Sequence, residues 1–172
     1  METCIWHLFC CICRGSVIPI LRGRNSGSHS HVVAADSTLV GNGKGFELKE
    51  AAKRVKKENG LTDVAVHGSP DSISVIVSEN GKDKEIVLDH RQLAKFLKSD
   101  KGYGCGNIRL LSCKTGSKTG TFAQNPANKM GETVRAPSDT LYIFPSGRMV
   151  IGHNMFTNTG RWIDYHPQKR KR

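Results

Sequence analysis

Two apolar segments that each end in a reactive side chain constrain this chain most. One is Asp63–Gly68, with the sequence DVAVHG, and the other is Ile108–Cys113, with the sequence IRLLSC. Both are typical of buried strands, and the carboxyl ends of strands in an open α/β sheet are where binding and chemistry collect. A histidine and a cysteine at two such ends are the minimum set for thiol nucleophilic catalysis. The segments therefore indicate a cysteine peptidase that uses His67 and Cys113.

Length and charge limit the remaining possibilities. The 172 residues suit one domain of ordinary size with a real core, and no run approaches the ~18 consecutive apolar residues of a membrane-spanning helix. Lys and Arg number 26 against 15 Asp and Glu, a formal charge of +11. This excess predicts attraction to polyanions such as nucleic acid, anionic lipid or polyphosphate.

The amino-terminal cysteines form a separate feature. Four of the six cysteines lie in the first 13 residues, at Cys4, Cys10, Cys11 and Cys13. They lack the two C-x-x-C pairs of a zinc site, although His7 is nearby, and such a cluster beside apolar residues can also carry an acyl anchor. The apolar run Ile5–Cys13 is short and follows no Lys or Arg, so it makes a weak export signal. We expect a poorly ordered leader.

The composition divides the chain into three parts. Residues 1–40 are predicted to be a leader and a flexible linker, since Arg22–His31 is polar and rich in Gly and Ser. Residues 41–167 are predicted to form an α/β domain, and 168–172 a solvated basic tail. The segment Gly41–Gly45 lacks the G-x-x-x-x-G-K-[ST] phosphate-loop pattern and is interpreted as a hinge.

Within 41–167, local signals predict helices alternating with strands. Helix formers fill Glu47–Glu58, Asn80-Gly81 marks a hairpin, and Asp89 with Gln92 forms a capping box. A helix is expected over Thr119–Met130 with Gly131 as its cap, either kinked at Pro126 or starting later. Further strands are predicted at Thr133–Ala136, Leu141–Phe144, Arg148–Ile151 and Trp162–Tyr165. This order of elements indicates the α/β class.

Several short motifs together resemble a known family. They are His67-Gly68, Leu93-Ala94, Ser112-Cys113, Phe122-Ala123, and Gly147-Arg148 followed by Trp162. From about Leu61 to Pro167 the chain resembles the caspase-like cysteine protease domains of bacterial toxins. These are the autoprocessing domains of RTX and clostridial glucosylating toxins, and similar domains form the tails of polymorphic toxins. The resemblance implies a caspase-like, mainly parallel sheet flanked by helices, with a C-terminal β-hairpin.

The resemblance also implies a role for each residue of the site. Cys113 would be the nucleophile, His67 would protonate the leaving amine, and the Gly68 N–H would stabilise the oxyanion. The substrate would be a peptide or protein, and neither a metal nor a cofactor would be needed for the chemistry. The sequence departs from the family at Val66 and Ser112, where the family usually has Gly. Val66 is expected to narrow the space around the imidazole, and Ser112 to add a hydroxyl beside the thiol.

Further expectations from the resemblance concern partners. Lys101, Arg148 and Arg161 would bind a polyanion, since related toxin proteases are activated by an inositol polyphosphate. A cognate immunity protein would be a second partner. The domain would be secreted, or delivered into a target cell, as part of a larger toxin.

Two other functions remain open from the sequence. A nuclease-type toxin domain acting on RNA or DNA would suit the positive charge, with candidate acids and bases at Asp71, Asp89, His90 and Asp139. A catalytically inactive interaction module of the same fold would leave Cys113 as a small buried apolar residue. Cys105, within Gly104–Gly106, is interpreted as a turn residue.

Overall fold

The computed structural model describes residues 30–33, 48–79, 82–100, 103 and 105–168. The strands, numbered in chain order, are β1 Ser30–Val33, β2 Leu61–Ala65, β3 His67–Gly68, β4 Ile73–Glu79, β5 Lys82–Leu88, β6 Asn107–Leu111, β7 Val134–Pro137, β8 Leu141–Ile143, β9 Met149–Ile151 and β10 Trp162–Tyr165. The helices are α1 Leu48–Lys53, α2 His90–Lys95 and α3 Gln124–Met130, and a π-helical turn, Phe96–Asp100, follows α2. The predictions for the four N-terminal cysteines, His7, Gly41–Gly45 and the 169–172 part of the basic tail lie outside the described residues.

A five-stranded sheet organises the domain, in the order β1-β2-β6-β7-β10. Its first four strands are parallel, and β10 pairs antiparallel with β7. The chain is therefore an α/β protein, as the order of elements predicts, and its sheet is mainly parallel, as the resemblance implies. The predicted hairpin near the C-terminus is present as β8 and β9, with Leu141 opposite Ile151.

The sheet is covered on both faces. On one face, Val64, Leu110 and Val134 pack against Leu93 of α2, Ala127 of α3, Val75 of the β4–β5 hairpin, and Phe122, which lies just before α3. On the other face, Ala65 and Leu111 pack against α1 and the β8–β9 hairpin. This is the layering expected of parallel strands, whose side chains are buried on both sides. It leaves the ends of the strands as the places where polar side chains can gather.

Two local signals are confirmed with their predicted chemistry. Strands β4 and β5 pair from Ile73–Leu88 to Glu79–Lys82, so only two residues connect them, as expected for an Asn-Gly hairpin. At the start of α2, Asp89 Oδ1 accepts the Arg91 and Gln92 N–H groups at 2.7 and 2.8 Å. Gln92 Oε1 accepts the Asp89 N–H in return. This is the predicted capping box.

Helix α1 is shorter than the helix former run Glu47–Glu58 predicts, because tertiary contacts hold its second half. The helix ends at Lys53. Beyond it, the Lys56 carbonyl accepts a hydrogen bond from Arg109 Nη2 at 2.9 Å, and the Glu58 carboxylate binds both Arg109 and Arg135. If the helix continued, the Lys56 carbonyl would accept a backbone N–H of the next helical turn instead of the Arg109 guanidinium. The hydrogen bonds and ion pairs with the buried Arg109 and the partly exposed Arg135 therefore override the local helix propensity.

Helix α3 starts later than the first residue of its predicted range. It begins at Gln124, which puts Pro126 in the first turn, where a missing N–H costs no helical hydrogen bond. The later start is therefore the correct alternative of the two. Gly131 ends the helix in the left-handed conformation, with φ of 77°, as predicted.

Strand β1 lies within the segment that the sequence predicts to be leader and linker. Ser30 pairs with Thr62 and Val33 with Ala65, so β1 extends the sheet beyond β2. A run as short as His31–Val33 carries little strand signal of its own. Hydrogen bonding to β2 stabilises a strand that the local sequence does not predict. The sheet thus includes residues N-terminal to the predicted boundary at residue 41, while the boundaries themselves stay predictions.

A row of charged residues crosses four strands of the sheet. The register aligns Asp63 of β2 with Arg109 of β6, Arg109 with Arg135 of β7, and Arg135 with Asp164 of β10. Arg109 Nε and Nη2 bind the two Asp63 oxygens at 2.6 and 2.8 Å. Asp63 and Arg109 are 0% and 1% exposed, so this ion pair is buried. Glu58 bridges Arg109 to Arg135, which in turn binds Asp164.

Within the described residues, no helix combines the length and the apolar character needed to cross a bilayer.

Candidate active site

The two reactive residues follow neighbouring parallel strands in register. Ala65 at the end of β2 is opposite Leu111 at the end of β6, and the Val66 N–H donates to the Leu111 carbonyl at 3.3 Å. Two residues beyond the last residue of each strand come His67, which begins β3, and Cys113. The register therefore places both residues beyond the same carboxyl edge of the sheet, each two residues after the end of one of two adjacent strands.

Gly68 is in backbone contact with the turn that holds Cys113. A Cβ at position 68 would lie 2.7 Å from the Cys113 carbonyl oxygen, 2.8 Å from Thr115 Cγ2 and 2.9 Å from Ser112 Cβ. Real Cβ contacts are not this short, and one of the three is backbone, which cannot move aside like a flexible side chain. The close approach of the two strand ends therefore requires glycine at position 68.

We expect Gly68→Ala to destabilise the domain by about 1–3 kcal/mol, because the added methyl group overpacks a contact with backbone. Urea unfolding measures this change, and the rate of Cys113 alkylation reports whether the turn moves. Gly60→Ala is the control. Its Cβ meets nothing within 4 Å, and its cost arises from a φ of 77° alone. An alkylation rate that changes equally in both variants would contradict the proposed contact.

The Gly68 N–H points away from β4. Ser69 N–H donates to the Ser72 carbonyl, which closes the turn between β3 and β4, and Gly68 is then opposite Ile73. In an antiparallel pair, hydrogen-bonded and non-bonded positions alternate, so the Gly68–Ile73 position is a non-bonded one. Its N–H therefore points away from β4. The geometry leaves this donor available on the side of β3 opposite to β4.

The Cys113 thiol is half-buried under the β8–β9 hairpin. Its Sγ lies 3.8 Å from the Leu141 carbonyl oxygen, within reach of a weak S–H donor. Burial raises the pKa of the Cys113 thiol; the Asp139 carboxylate adds to this rise and the Lys114 ammonium opposes it. An isolated thiol in this setting stays protonated at neutral pH. A base is therefore needed to generate the nucleophile.

The turn after Cys113 is fixed on two sides. Toward β7, the N–H groups of Lys114 and Gly116 donate to the Asp139 and Pro137 carbonyls at 3.0 and 2.9 Å. Toward β3, Phe122 N–H donates to the Pro70 carbonyl at 3.1 Å. Lys114 has a φ of 58°, and it is the one residue other than glycine in the described part of the chain with positive φ. Such strained backbone is typical of functional turns.

Val66 and Ser112 occupy the positions next to the reactive pair without crowding it. The Val66 side chain is 1% exposed and packs into the core on the face of α2 and α3, because neighbouring residues of a strand point to opposite sides. Ser112 is also buried, and its Oγ lies 2.8 Å from Thr115 Oγ1. Its hydroxyl stabilises the turn through that hydrogen bond. Because the Val66 side chain lies in the core, its position does not support the expected narrowing of the space around the His67 imidazole.

The predicted polyanion residues are not gathered at one place among the described residues. Lys101 lies outside them. Arg148 is exposed, with its guanidinium 3.9 Å from the centroid of the Phe144 ring. Arg161 lines a cavity of about 300 Å³ together with Lys118, and Arg148 is not part of that lining.

Of the acids and bases considered for a nuclease, Asp89 and His90 are adjacent at the start of α2, whereas Asp71 and Asp139 lie in two other turns. Asp89 caps α2, and the N–H groups of Gln92 and Arg91 lower the pKa of its carboxyl. Asp71 is exposed in the turn between β3 and β4, and Asp139 lies next to the Cys113 turn. In the part of the chain that the structure describes, no three His, Cys, Asp or Glu side chains are close enough to hold a metal ion.

Sequence reasoning missed the contribution of residues 139–141 to the site. Asp139 and Leu141 lie next to Cys113 only because β8 folds back over the end of β6. They come more than 20 residues after Cys113 in the chain, and no spacing rule links them to it. The available signal is the Ser-Asp pair at 138–139, a turn signal directly after a predicted strand.

A family model covers most of the chain, including both reactive residues. The model describes a domain of unknown function, DUF8616, and it matches residues 29–151. The chain belongs to this family. The matched span begins beside β1 and ends with β9, so it contains the whole turn around Cys113 as well as the β8–β9 hairpin. No curated protein and no solved structure matches the chain.

Proposed function

We propose that this chain is a cysteine peptidase domain in which Cys113 is the nucleophile and His67 the general acid and base. The parallel register of β2 and β6 carries the proposal, because it brings the two residues to the same edge of the sheet on adjacent strands. The close contact of Gly68 with the Cys113 backbone supports the same arrangement. A dyad needs its two side chains on rigid neighbouring elements, and strand ends supply them.

The reaction proceeds through an acyl-enzyme. His67 takes the proton of Cys113, and the thiolate sulfur forms a bond to the carbonyl carbon of a peptide. The tetrahedral intermediate then breaks the C–N bond, and the leaving amine takes the proton from the His67 imidazolium. Water attacks the thioester while His67 accepts its proton. Release of the carboxylic acid returns the proton to the thiol.

The Gly68 N–H stabilises the oxyanion of this intermediate. It points away from β4, and the absence of a side chain lets a substrate carbonyl approach the backbone closely. Removing one such donor typically costs ~10²–10³-fold in rate. A side-chain substitution cannot delete a backbone donor, so the direction of the Gly68 N–H, away from β4, is what supports this role.

The wider biological role follows from the resemblance to toxin domains. It supports a peptide or protein substrate with an apolar residue before the scissile bond, delivery into a target cell as part of a larger toxin, and a cognate immunity protein. Arg161 and Lys118, which line one cavity, are the described candidates for binding an inositol polyphosphate activator. The thiol chemistry itself uses no cofactor.

Peptide cleavage by variants of the full chain tests the proposal. Wild-type protein is incubated with a peptide library, and the products are read by mass spectrometry. We expect Cys113→Ala to abolish cleavage and Cys105→Ala to retain it, because Cys105 is an exposed turn residue away from both strand ends. An electrophilic peptide probe should modify Cys113 in the wild type.

Three results would contradict the peptidase. Cleavage that survives in Cys113→Ala would assign the activity to other residues. RNA cleavage that is unaffected by Cys113→Ala would favour the nuclease. Absence of both cleavage and probe labelling in the wild type would favour the inactive interaction module.

A further inference from the structure

A polar cavity lies between α2, α3 and the segment that follows β10. It measures about 520 Å³ and is lined by His90, Arg91, Asn125, Asn128, Lys129 and Gln168. Cavities that hold small organic ligands measure about 300–1,000 Å³. The volume is therefore sufficient for a ligand larger than a single ion.

The cavity is at the opposite end of the sheet from Cys113. Tyr165 pairs with Val134, the first residue of β7, so the chain leaves β10 at the amino edge of the parallel strands. Gln168 lies three residues further on. Cys113, in contrast, follows the carboxyl edge. No residue that lines this cavity takes part in the candidate active site, so a ligand here would serve a separate purpose.

The chemistry of the lining favours an anion. Arg91 and Lys129 carry permanent positive charge, His90 can carry another, and the other three lining residues are amides. None of the lining residues is acidic. The neighbouring carboxylate of Asp89 is engaged by the backbone N–H groups of Arg91 and Gln92. Phosphate suits these two side chains, because Arg can bind it through two parallel hydrogen bonds and Lys binds it as a point charge.

Two of the lining amides, Asn128 and Gln168, are held by hydrogen bonds that also involve Gln124, and the third, Asn125, donates through Nδ2 to Thr121 Oγ1 at 3.3 Å. Asn128 Oδ1 accepts hydrogen bonds from Gln124 Nε2 at 3.0 Å and from the Gln168 N–H at 2.8 Å. Gln168 Nε2 donates to Gln124 Oε1 at 3.3 Å, and Gln124 Nε2 also binds the His166 carbonyl. Asn128 uses its oxygen in these contacts, so its NH₂ group is the donor it can offer to a ligand. Amide side chains of this kind recognise the edges of bases.

From this cavity we infer a second function, the binding of single-stranded nucleic acid. One unpaired nucleotide occupies the cavity, with its phosphate at Arg91 and Lys129 and its base edge against the amides of Asn125 and Asn128. A single strand suits the site better than a duplex, because a cavity of this size accepts one splayed nucleotide and a helix offers none. The formal charge of +11 adds long-range attraction to the same ligand.

Fluorescence anisotropy with a labelled single-stranded RNA of mixed sequence tests this inference on the full-length protein. We expect the double variant Arg91→Gln/Lys129→Gln to weaken binding at least fivefold. The slope of log K for RNA binding against log salt concentration should become shallower by about 1.4 in this variant, since each phosphate contact on a single strand contributes about 0.7 to the slope. The matched control is Lys56→Gln/Lys57→Gln, which removes the same charge from exposed positions outside the cavity.

The control and the competitors make the result decisive. Circular dichroism establishes that both double variants are folded. Equal weakening of RNA binding by the two double variants would show that binding depends only on the net charge of the protein, and would overturn the proposed site. Unchanged RNA binding in Arg91→Gln/Lys129→Gln would overturn it as well. Unlabelled duplex DNA should compete at least fivefold less well than the single strand. Displacement of the RNA by inositol hexakisphosphate at equal or lower concentration, together with loss of inositol hexakisphosphate binding in Arg91→Gln/Lys129→Gln, would instead assign the cavity to a compact polyphosphate and would overturn the nucleotide.

Discussion

Arg109→Met is expected to lower the free energy of unfolding by about 3–5 kcal/mol, the cost of removing one partner from a buried ion pair. Arg109 gives two hydrogen bonds to Asp63 at 2.6 and 2.8 Å, and both side chains are almost completely buried. Without the guanidinium, the Asp63 carboxylate loses this bidentate contact while it remains in a dry environment. The Lys56 carbonyl loses its Arg109 donor as well. Urea unfolding followed by circular dichroism measures the change.

Arg135→Met is the matched control for this experiment. Arg135 lies beside Arg109 in the same row, binds Asp164 at 2.7 Å and shares Glu58 with Arg109. Its side chain is 30% exposed and that of Asp164 39%, so water can replace the lost contacts. We expect a loss of about 1 kcal/mol or less. Equal losses in the two variants would show that burial does not decide the contribution of these pairs.

The double variant Asp63→Leu/Arg109→Met extends the test. Replacing both charges by apolar side chains removes the buried Asp63 carboxylate together with the Arg109 guanidinium, so much of the lost stability should return. The difference between the double variant and the sum of the single variants gives the coupling energy of the pair. A double variant as unstable as Arg109→Met would mean that the cost lies in packing rather than in the charge left behind.

The same ion pair explains why the candidate site could be partly predicted from sequence. Asp63 precedes His67 by four residues, and Arg109 precedes Cys113 by four residues. The register that pairs the two opposite charges therefore also aligns the histidine with the cysteine. A slip of one residue would separate both pairs and would turn every side chain of the strand to the other face. The equal spacing was visible in the sequence, but its meaning depends on knowing that β2 and β6 are neighbours.

Other parts of the site depend on contacts that no local pattern contains. The covering of Cys113 by Leu141 follows from the path of the β8–β9 hairpin, and the raised pKa of the thiol follows from that burial. The early end of α1 has the same kind of origin, since Lys56 and Glu58 serve Arg109 from a distant strand. Local signals that satisfy their own hydrogen bonds, such as the capping box at Asp89, were predicted correctly. The length of α1 was predicted wrongly, because the second half of Glu47–Glu58 contacts the buried Arg109 instead of continuing the helix.

His67→Ala is expected to reduce peptide cleavage ~10²–10⁴-fold, the usual contribution of a positioned general acid and base. The pH profile of the remaining activity is the more specific measurement. Because burial raises the pKa of Cys113, a thiol that has lost its base ionises only when the pH rises above the ordinary cysteine range. The rate of the variant should therefore keep rising with pH where the wild-type rate has levelled off.

A matched histidine variant and added imidazole distinguish this role from a structural one. His153→Ala removes an exposed histidine beyond β9 and should leave both the rate and the pH profile unchanged. Imidazole in solution should restore part of the His67→Ala activity, because it can accept the Cys113 proton in the space left by the side chain. A variant that loses activity with the wild-type pH profile, and that imidazole does not rescue, would assign His67 to the structure of the strand end. In that case the base that activates Cys113 would be another group.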